Sequence, residues 1–241
     1  MGYPVLVTGG TGGIGSAIVR RLSADGYQVT FTWRRDEAAA AALAAETGAE
    51  AHRLDLADRA AVATFAETLQ AAEEPFYGFV HNAGATHDAL AATLDVERAA
   101  AVMEVNLFAF MGLVKGVVRG MTAARQGRIV AIGALAATRA AAGNGAYAAS
   151  KAALEAYVRT LMTEVARRGV TANVVAPGWV ETAMAGEVPP QLARAIPAQR
   201  LGKAAEVANA VAFLLRGEAS YVNGTTLTVD GGLGTMLAAT K

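Results

Sequence analysis

Short apolar runs alternate with longer amphipathic stretches from one end of this chain to the other. Val5, Leu6 and Val7 form an unbroken apolar run that stops at a glycine cluster, the pattern of a strand buried on both faces. Beyond the glycines, Ile14, Ile18 and Leu22 recur four apart, which predicts a helix over about 13–24, stopped by Asp25 and Gly26. β-Branched and aromatic residues predict a strand at 28–33. An alanine-rich stretch predicts a helix at 36–47, ended by Gly48. The same alternation predicts strands at 51–54, 76–81, 128–132, 171–175 and 225–229. It predicts helices at 58–72 with Asp58 as N-cap, at 95–122, at 146–168 closed by Gly169, and at 206–215. Strands separated by helices of this length must run parallel and be joined by right-handed crossovers. The expected fold class is α/β: one doubly wound domain over 1–241, with a parallel sheet of about seven strands and helices on both faces.

Composition narrows the function classes. Apolar residues make up 54% of 241 positions, enough for a sizeable core and too many for a disordered chain. The 21 basic and 21 acidic residues balance, so bulk charge points to neither nucleic acid nor a membrane surface. Without cysteine there is no disulfide framework and no thiolate chemistry, and three histidines alone make a structural zinc site a poor expectation; no metal is expected. The first residues lack a basic region followed by a long apolar run, and no stretch is expected to span a membrane, so a cytoplasmic location is expected. The alanine run at 38–45 reads as compositional bias.

The first feature with chemistry is Thr8-Gly9-Gly10-Thr11-Gly12-Gly13-Ile14-Gly15, between an apolar strand and a helix. A diphosphate needs close backbone and unpaired N–H donors, which glycines and a helix N-terminus supply. The five glycines of 9–15 exceed what a tight turn requires. The expectation is a Rossmann-type dinucleotide site. An NAD site usually carries a carboxylate at the end of the second strand for the ribose 2′-OH. Here that place reads Thr32-Trp33-Arg34-Arg35, and guanidiniums suit a 2′-phosphate, so NADP(H) is favoured. The alternative is that Arg34 and Arg35 are solvated surface charges, partly neutralised by Asp36.

The second feature is Tyr147-Ala148-Ala149-Ser150-Lys151. Positions four apart share a helix face, so an ammonium stands beside a phenol and is expected to lower its pKa from about 10 toward neutrality. That would make Tyr147 a usable proton donor and acceptor. Alone, this spacing is common and often only surface packing.

Taken together, these motifs resemble those of the short-chain dehydrogenase/reductase family over essentially the whole length. The resemblance implies a set of roles. The turn from Thr8 to Gly15 would bind cofactor through Thr8, Gly9, Thr11, Gly12, Gly13, Ile14 and Gly15. Asp55, with Leu56 beside it, would contact the adenine, and Asn82-Ala83-Gly84 would support sheet and cofactor. Asn106 would hold a water in a proton relay, and Tyr147 and Lys151 would form the catalytic pair. Pro177, Gly178, Val180 and Thr182 would border the nicotinamide, and residues 229–232 match the family's C-terminal strand. Within the family, the segments 127–130, 173–178 and 209–214 are most similar to 3-oxoacyl-(acyl-carrier-protein) reductases. This implies reduction of a 3-oxoacyl thioester to the 3-hydroxyacyl thioester in fatty acid or polyketide synthesis. It also implies an acyl carrier protein as partner, docked at Arg125 and Arg168, and a homotetramer. Residues about 183–200, with Pro189, Pro190 and Pro197, are expected to form a lid over the acyl chain.

One position departs from the family pattern. The family's serine, thirteen residues before the tyrosine, is replaced by Ala134. That serine donates to the substrate carbonyl, and losing such a donor costs ~100-fold or more. Three readings stay open: a reductase compensated by Tyr147, a water or the substrate; an enzyme for another small carbonyl whose neighbouring group assists; or a weakly active subunit supporting a partner. The turn also has Gly12 where many NADP-using relatives have a basic residue, so cofactor choice rests on Arg34 and Arg35.

Overall fold

The structure is a computed structural model, and it describes residues 2–182, 186 and 190–236. Seven strands form one parallel sheet in the order β3-β2-β1-β4-β5-β6-β7. They are β1 (Pro4–Val7), β2 (Gln28–Trp33), β3 (Glu50–Arg53), β4 (Gly78–His81), β5 (Gly127–Ile132), β6 (Val170–Pro177) and β7 (Thr226–Val229). The central strands β1, β4, β5 and β6 are buried almost throughout, which explains their unbroken apolar runs. Strand order reverses between β1 and β4, and at such a point the loops leaving the carboxyl ends diverge and open a crevice.

The helices are α1 (Gly13–Ala24), α2 (Glu37–Thr47), α3 (Arg59–Gln70), α4 (Val96–Met103), α5 (Ala109–Ala124), α6 (Gly145–Val165), α7 (Pro190–Ala195) and α8 (Ala204–Leu215). One core lies where α1, α2 and α8 pack on Val5, Val7, Phe31, Val80 and Val130. The other lies where α3, α5 and α6 pack on Leu6, Phe79, Ile129 and Val174. Asp36, Asp58 and Asp95 each cap a helix by accepting from backbone N–H groups, as at Ala39 (2.8 Å) and Arg98 (3.0 Å). Gly48 and Gly169 end α2 and the turn after α6 in left-handed conformation, both at φ 71°.

Three expectations need correction. The helix predicted at 95–122 is not uniform: Glu104–Phe108 forms a π turn between α4 and α5. The amide of Ala109 bonds the carbonyl of Glu104, five residues back, so one residue bulges out. Periodicity does not reveal this, because apolar residues occupy both sides of the insertion. Second, the 29 residues Val96–Ala124 do include an 18-residue window apolar enough to cross a membrane, with mean hydropathy 1.7. More than half of that window is buried in the protein, as expected of a core helix between sheet and neighbouring helices. Third, a helix, α7, lies within the segment 183–200 expected as a lid, where no helix was expected.

Candidate active site

The turn after β1 is shaped by close approach of backbone. Gly9 has φ +68°, and a Cβ there would lie 2.9 Å from the Ala83 Cα. A Cβ on Gly15 would lie 2.1 Å from the Gly9 carbonyl oxygen, so no larger residue fits. At Gly12, by contrast, a Cβ would meet nothing closer than 3.4 Å, and Gly12 and Gly13 are exposed. Gly12 is the N-cap of α1 and supplies no side-chain acceptor, so the first amides of α1 keep their donors for a ligand. The first turn of α1 also lacks acidic residues. An exposed glycine face at an uncapped helix N-terminus, opening on the strand-order reversal, fits a dinucleotide diphosphate. Thr11 and Ile14 are half-buried along this turn, and Ile14 packs on the core beneath it.

Thr8 is a tie within the protein. Its side chain is fully buried, and its oxygen accepts from the amides of Asn82 and Ala83, both at 3.1 Å. Its remaining proton then goes to His81 Nδ1, also at 3.1 Å. Asn82 returns the link by donating from Nδ2 to the carbonyls of Thr8 and Gly9. Thr8 and Asn82 thus hold the turn in place, in keeping with the support expected of the segment 82–84.

At the ends of β2 and β3, Arg34 Nη1 lies 3.8 Å from Asp55 Oδ1, both half-exposed. Arg35 is exposed beside it. Asp55 also accepts from the amide of Ala57 at 3.0 Å. Leu56 is buried in the core, which leaves its main chain alone to face a ligand. A cationic pocket edge therefore stands where the second strand ends, and the local carboxylate comes from β3's side.

Across the crevice, α6 brings Tyr147, Ser150 and Lys151 toward β5. Lys151 is 2% exposed, and its Nζ donates to the Ile132 carbonyl at 2.7 Å. Nζ lies 5.8 Å from the centre of the Tyr147 ring. Asn106 sits in the π turn with its side chain fully buried. Its Oδ1 accepts from the amide of Ala85 at 2.8 Å, and its Nδ2 donates to the Ala85 carbonyl and to Ser150 Oγ, at 3.0 and 2.8 Å. Ser150 Oγ donates in turn to the Tyr147 carbonyl at 2.7 Å. Both amide hydrogens of Asn106 are thus used on protein groups, and Oδ1 accepts from the Ala85 amide. That oxygen and Lys151 Nζ border one face of Gly84, where a Cβ would lie 3.5 and 3.6 Å from them. Ser150 was missed as a site residue; a hydroxyl on the inward face of a helix otherwise lined by Lys151, Leu154 and Val158 was the available signal.

The expected depression of the phenol is reversed. With the protein's own groups around it, Tyr147 is pushed up to about 12, first by burial and then by the charge of Asp88. Burial also pulls Lys151 down to about 8, against the opposing pull of Glu155. The lysine points past the ring to the Ile132 carbonyl and is itself costly to charge, which is why it does not ionise the tyrosine unaided.

Ala134 follows directly on this segment, almost buried, in extended conformation, and offers no hydroxyl. Pro177 ends β6, and the Gly178 amide bonds the Val229 carbonyl at 3.0 Å. Val180 is buried and bridges to Gly202, and the Thr182 methyl is 2.8 Å from where a Gly13 Cβ would stand. The segment 177–182 therefore closes against the glycine turn. Of the expected lid, residues 183–185 and 187–189 lie outside the described residues; Ala198 is tied by its amide to the Gly231 carbonyl. Arg125 and Arg168 are exposed near each other, with Arg125 Nη2 donating to the Arg167 carbonyl at 3.4 Å. They precede β5 and β6, so they stand at the amino ends of these strands, opposite the carboxyl ends where Tyr147 lies, about 20 Å away by the length of a six-residue strand. Among the described residues no cluster of three or more metal-ligating side chains occurs.

A glycine turn at the strand-order reversal, facing a half-buried Tyr147 beside a buried Lys151 and braced by an asparagine, defines a dinucleotide-dependent α/β oxidoreductase. Residues 9–234 match the family described as enoyl-(acyl carrier protein) reductase. The chain is 40% identical to the 3-oxoacyl-[acyl-carrier-protein] reductase FabG of Escherichia coli (strain K12), over 96% of this chain and 97% of that one. Among solved structures, a short-chain dehydrogenase/reductase family protein superposes with TM-score 0.90 at 36% identity, covering 98% of both chains. BdcA in complex with NADPH superposes with TM-score 0.87 at 37% identity, covering 96% of this chain and 94% of that one. This chain belongs to the short-chain dehydrogenase/reductase family.

Proposed function

We propose that this protein reduces a 3-oxoacyl thioester, carried on an acyl carrier protein, to the 3-hydroxyacyl thioester with NADPH. The observation that carries the reading is the joining of Tyr147, Lys151 and Asn106 beside the glycine turn, in a chain 40% identical along its length to a 3-oxoacyl-carrier reductase. The glycine turn and α1 would hold the diphosphate, Arg34 and Arg35 would take the 2′-phosphate, and Lys151 would hold the nicotinamide ribose. When bound, NADPH would supply a hydride for the carbonyl carbon. Tyr147 gives its proton to the carbonyl oxygen, and Lys151 is the neighbouring ammonium that replaces it. Asn106 fixes Ala85 and Ser150, and so the geometry of the relay.

The carrier docks at Arg125 and Arg168. Because these stand at the amino ends of β5 and β6, away from Tyr147, a carrier held there delivers its acyl group to a neighbouring protomer, in keeping with a homotetramer. A cytoplasmic location follows from the same reading. Ala134 favours a second reading, a weakly active subunit that supports a partner. The test is loss of NADPH absorbance with a panel of 3-oxoacyl thioesters, enoyl thioesters and simple ketones. Turnover confined to 3-oxoacyl thioesters is expected. Turnover of enoyl thioesters or simple ketones in their place would replace the substrate assignment, and turnover of none would favour the supporting subunit.

A further inference from the structure

Helix α6 carries a carboxylate in the protein interior that the scheme above does not use. Glu155 is 5% exposed, on a face otherwise made of Ser150, Lys151, Leu154, Val158, Leu161 and Val165. A carboxylate buried among such groups costs free energy unless something compensates it. Its direct partners are weak ones. Thr226 Oγ1 on β7 donates to Oε2 at 3.3 Å, and the half-exposed Arg159 approaches Oε2 only to 3.8 Å.

Thr226 and Arg159 act on it more than any other group, and it also shares its helix face with Lys151, one turn earlier. Both reach the end of β5. Lys151 Nζ donates to the Ile132 carbonyl at 2.7 Å, while Glu155 Oε1 lies 3.1 Å from where a Cβ on Gly133 would stand. Ammonium and carboxylate thus flank two consecutive residues, next to Ala134. The other titratable groups near Lys151 are neutral: Tyr147 on α6 is held protonated, and His81 on β4 is held uncharged, both chiefly by burial. Asp88 acts on Tyr147. Glu155 is thus the charge that opposes the burial penalty on Lys151, and Lys151 in turn favours the Glu155 carboxylate.

We propose that Glu155 is a positioning residue that keeps Lys151 protonated across the working pH range of the enzyme, and this rests on the reductase reading above. Lys151 must be charged to return a proton to Tyr147. Its folded value is already depressed to about 8 by burial, so loss of the opposing carboxylate moves it lower still. Activity on the alkaline side then falls away at lower pH.

The test titrates Lys151 in the full chain by NMR of the lysine side-chain carbons, and follows kcat/KM for a 3-oxoacyl thioester with NADPH over the same pH range. Glu155→Gln is expected to lower the Lys151 midpoint, and the alkaline limb with it, by about one unit, the size of one unscreened neighbouring charge. Glu155→Asp is expected to restore most of the shift. Should Glu155→Gln fail to fold, Glu155→Met gives the same comparison with an apolar side chain of similar length. An unchanged Lys151 midpoint in a folded variant would overturn the proposal. Absence of turnover in the unsubstituted protein would instead overturn the reductase reading, and the NMR titration still decides the role of Glu155.

Discussion

Ala134→Ser returns a hydroxyl to the one position where the site departs from its family. The backbone is ready for it: φ −162° and ψ 153° are extended values that serine adopts freely. Ala134 also precedes the short helical turn Leu135–Ala137, with its carbonyl already accepting from the Ala137 amide at 3.0 Å. One carbonyl donor in a water-poor site is worth up to about 2.7 kcal/mol, so kcat should rise by up to ~100-fold. A competing fate works against this. A serine in the N-cap position donates or accepts within its own turn, which contributes about 1 kcal/mol to stability and withholds the hydroxyl from substrate. Single-turnover NADPH oxidation with saturating 3-oxoacyl thioester, read beside the thermal midpoint, separates the two. A rate gain with little change in midpoint is expected. A higher midpoint with no rate gain would refute the claim that the carbonyl lacks a donor, and would mean the site is built around alanine.

Replacing both Arg34 and Arg35 with alanine should weaken NADPH far more than NADH in binding titrations; equal weakening would contradict the 2′-phosphate assignment. Charge reversal at Arg125 and Arg168 should raise KM for a carrier-bound substrate and spare a small thioester, with the difference fading in added salt; equal loss on both would place docking elsewhere. His81, fully buried and held down to about 3 from 6.5, is neutral in the fold and must take up a proton on unfolding below pH 6.5. Its stability contribution is complete above about pH 6.5 and lost as pH falls toward 3, about 2 kcal/mol of it between pH 7 and 5. Denaturation of His81→Asn at the two pH values should show that much less acid sensitivity than the unsubstituted protein, and equal sensitivity would contradict the burial argument.

Much of this fold is legible in the sequence because parallel strands buried on both faces write continuous apolar runs, as in Val5–Val7 and Ile129–Ile132. The glycine turn is legible because each glycine answers a steric need, at Gly9 through φ and at Gly15 through contact. The π turn is not, since a bulged residue in an apolar helix leaves the pattern intact, and Asn106 owes its place to that bulge. The tyrosine's charge state is also hidden. Spacing puts Lys151 on the face of Tyr147, but burial of both groups and the direction of Nζ decide the outcome. Ser150 and Glu155 became visible only when their helix face was seen to turn inward.

The central claim is that Tyr147 is the proton donor of a reductase site. Tyr147→Phe removes one oxygen and leaves the ring, the Ser150 bond to the Tyr147 main chain and the Lys151 bond to Ile132 in place. NADPH binding, followed by fluorescence, is expected to match the unsubstituted protein, while kcat for a 3-oxoacyl thioester is lost. A variant that binds NADPH and keeps its turnover would contradict the account.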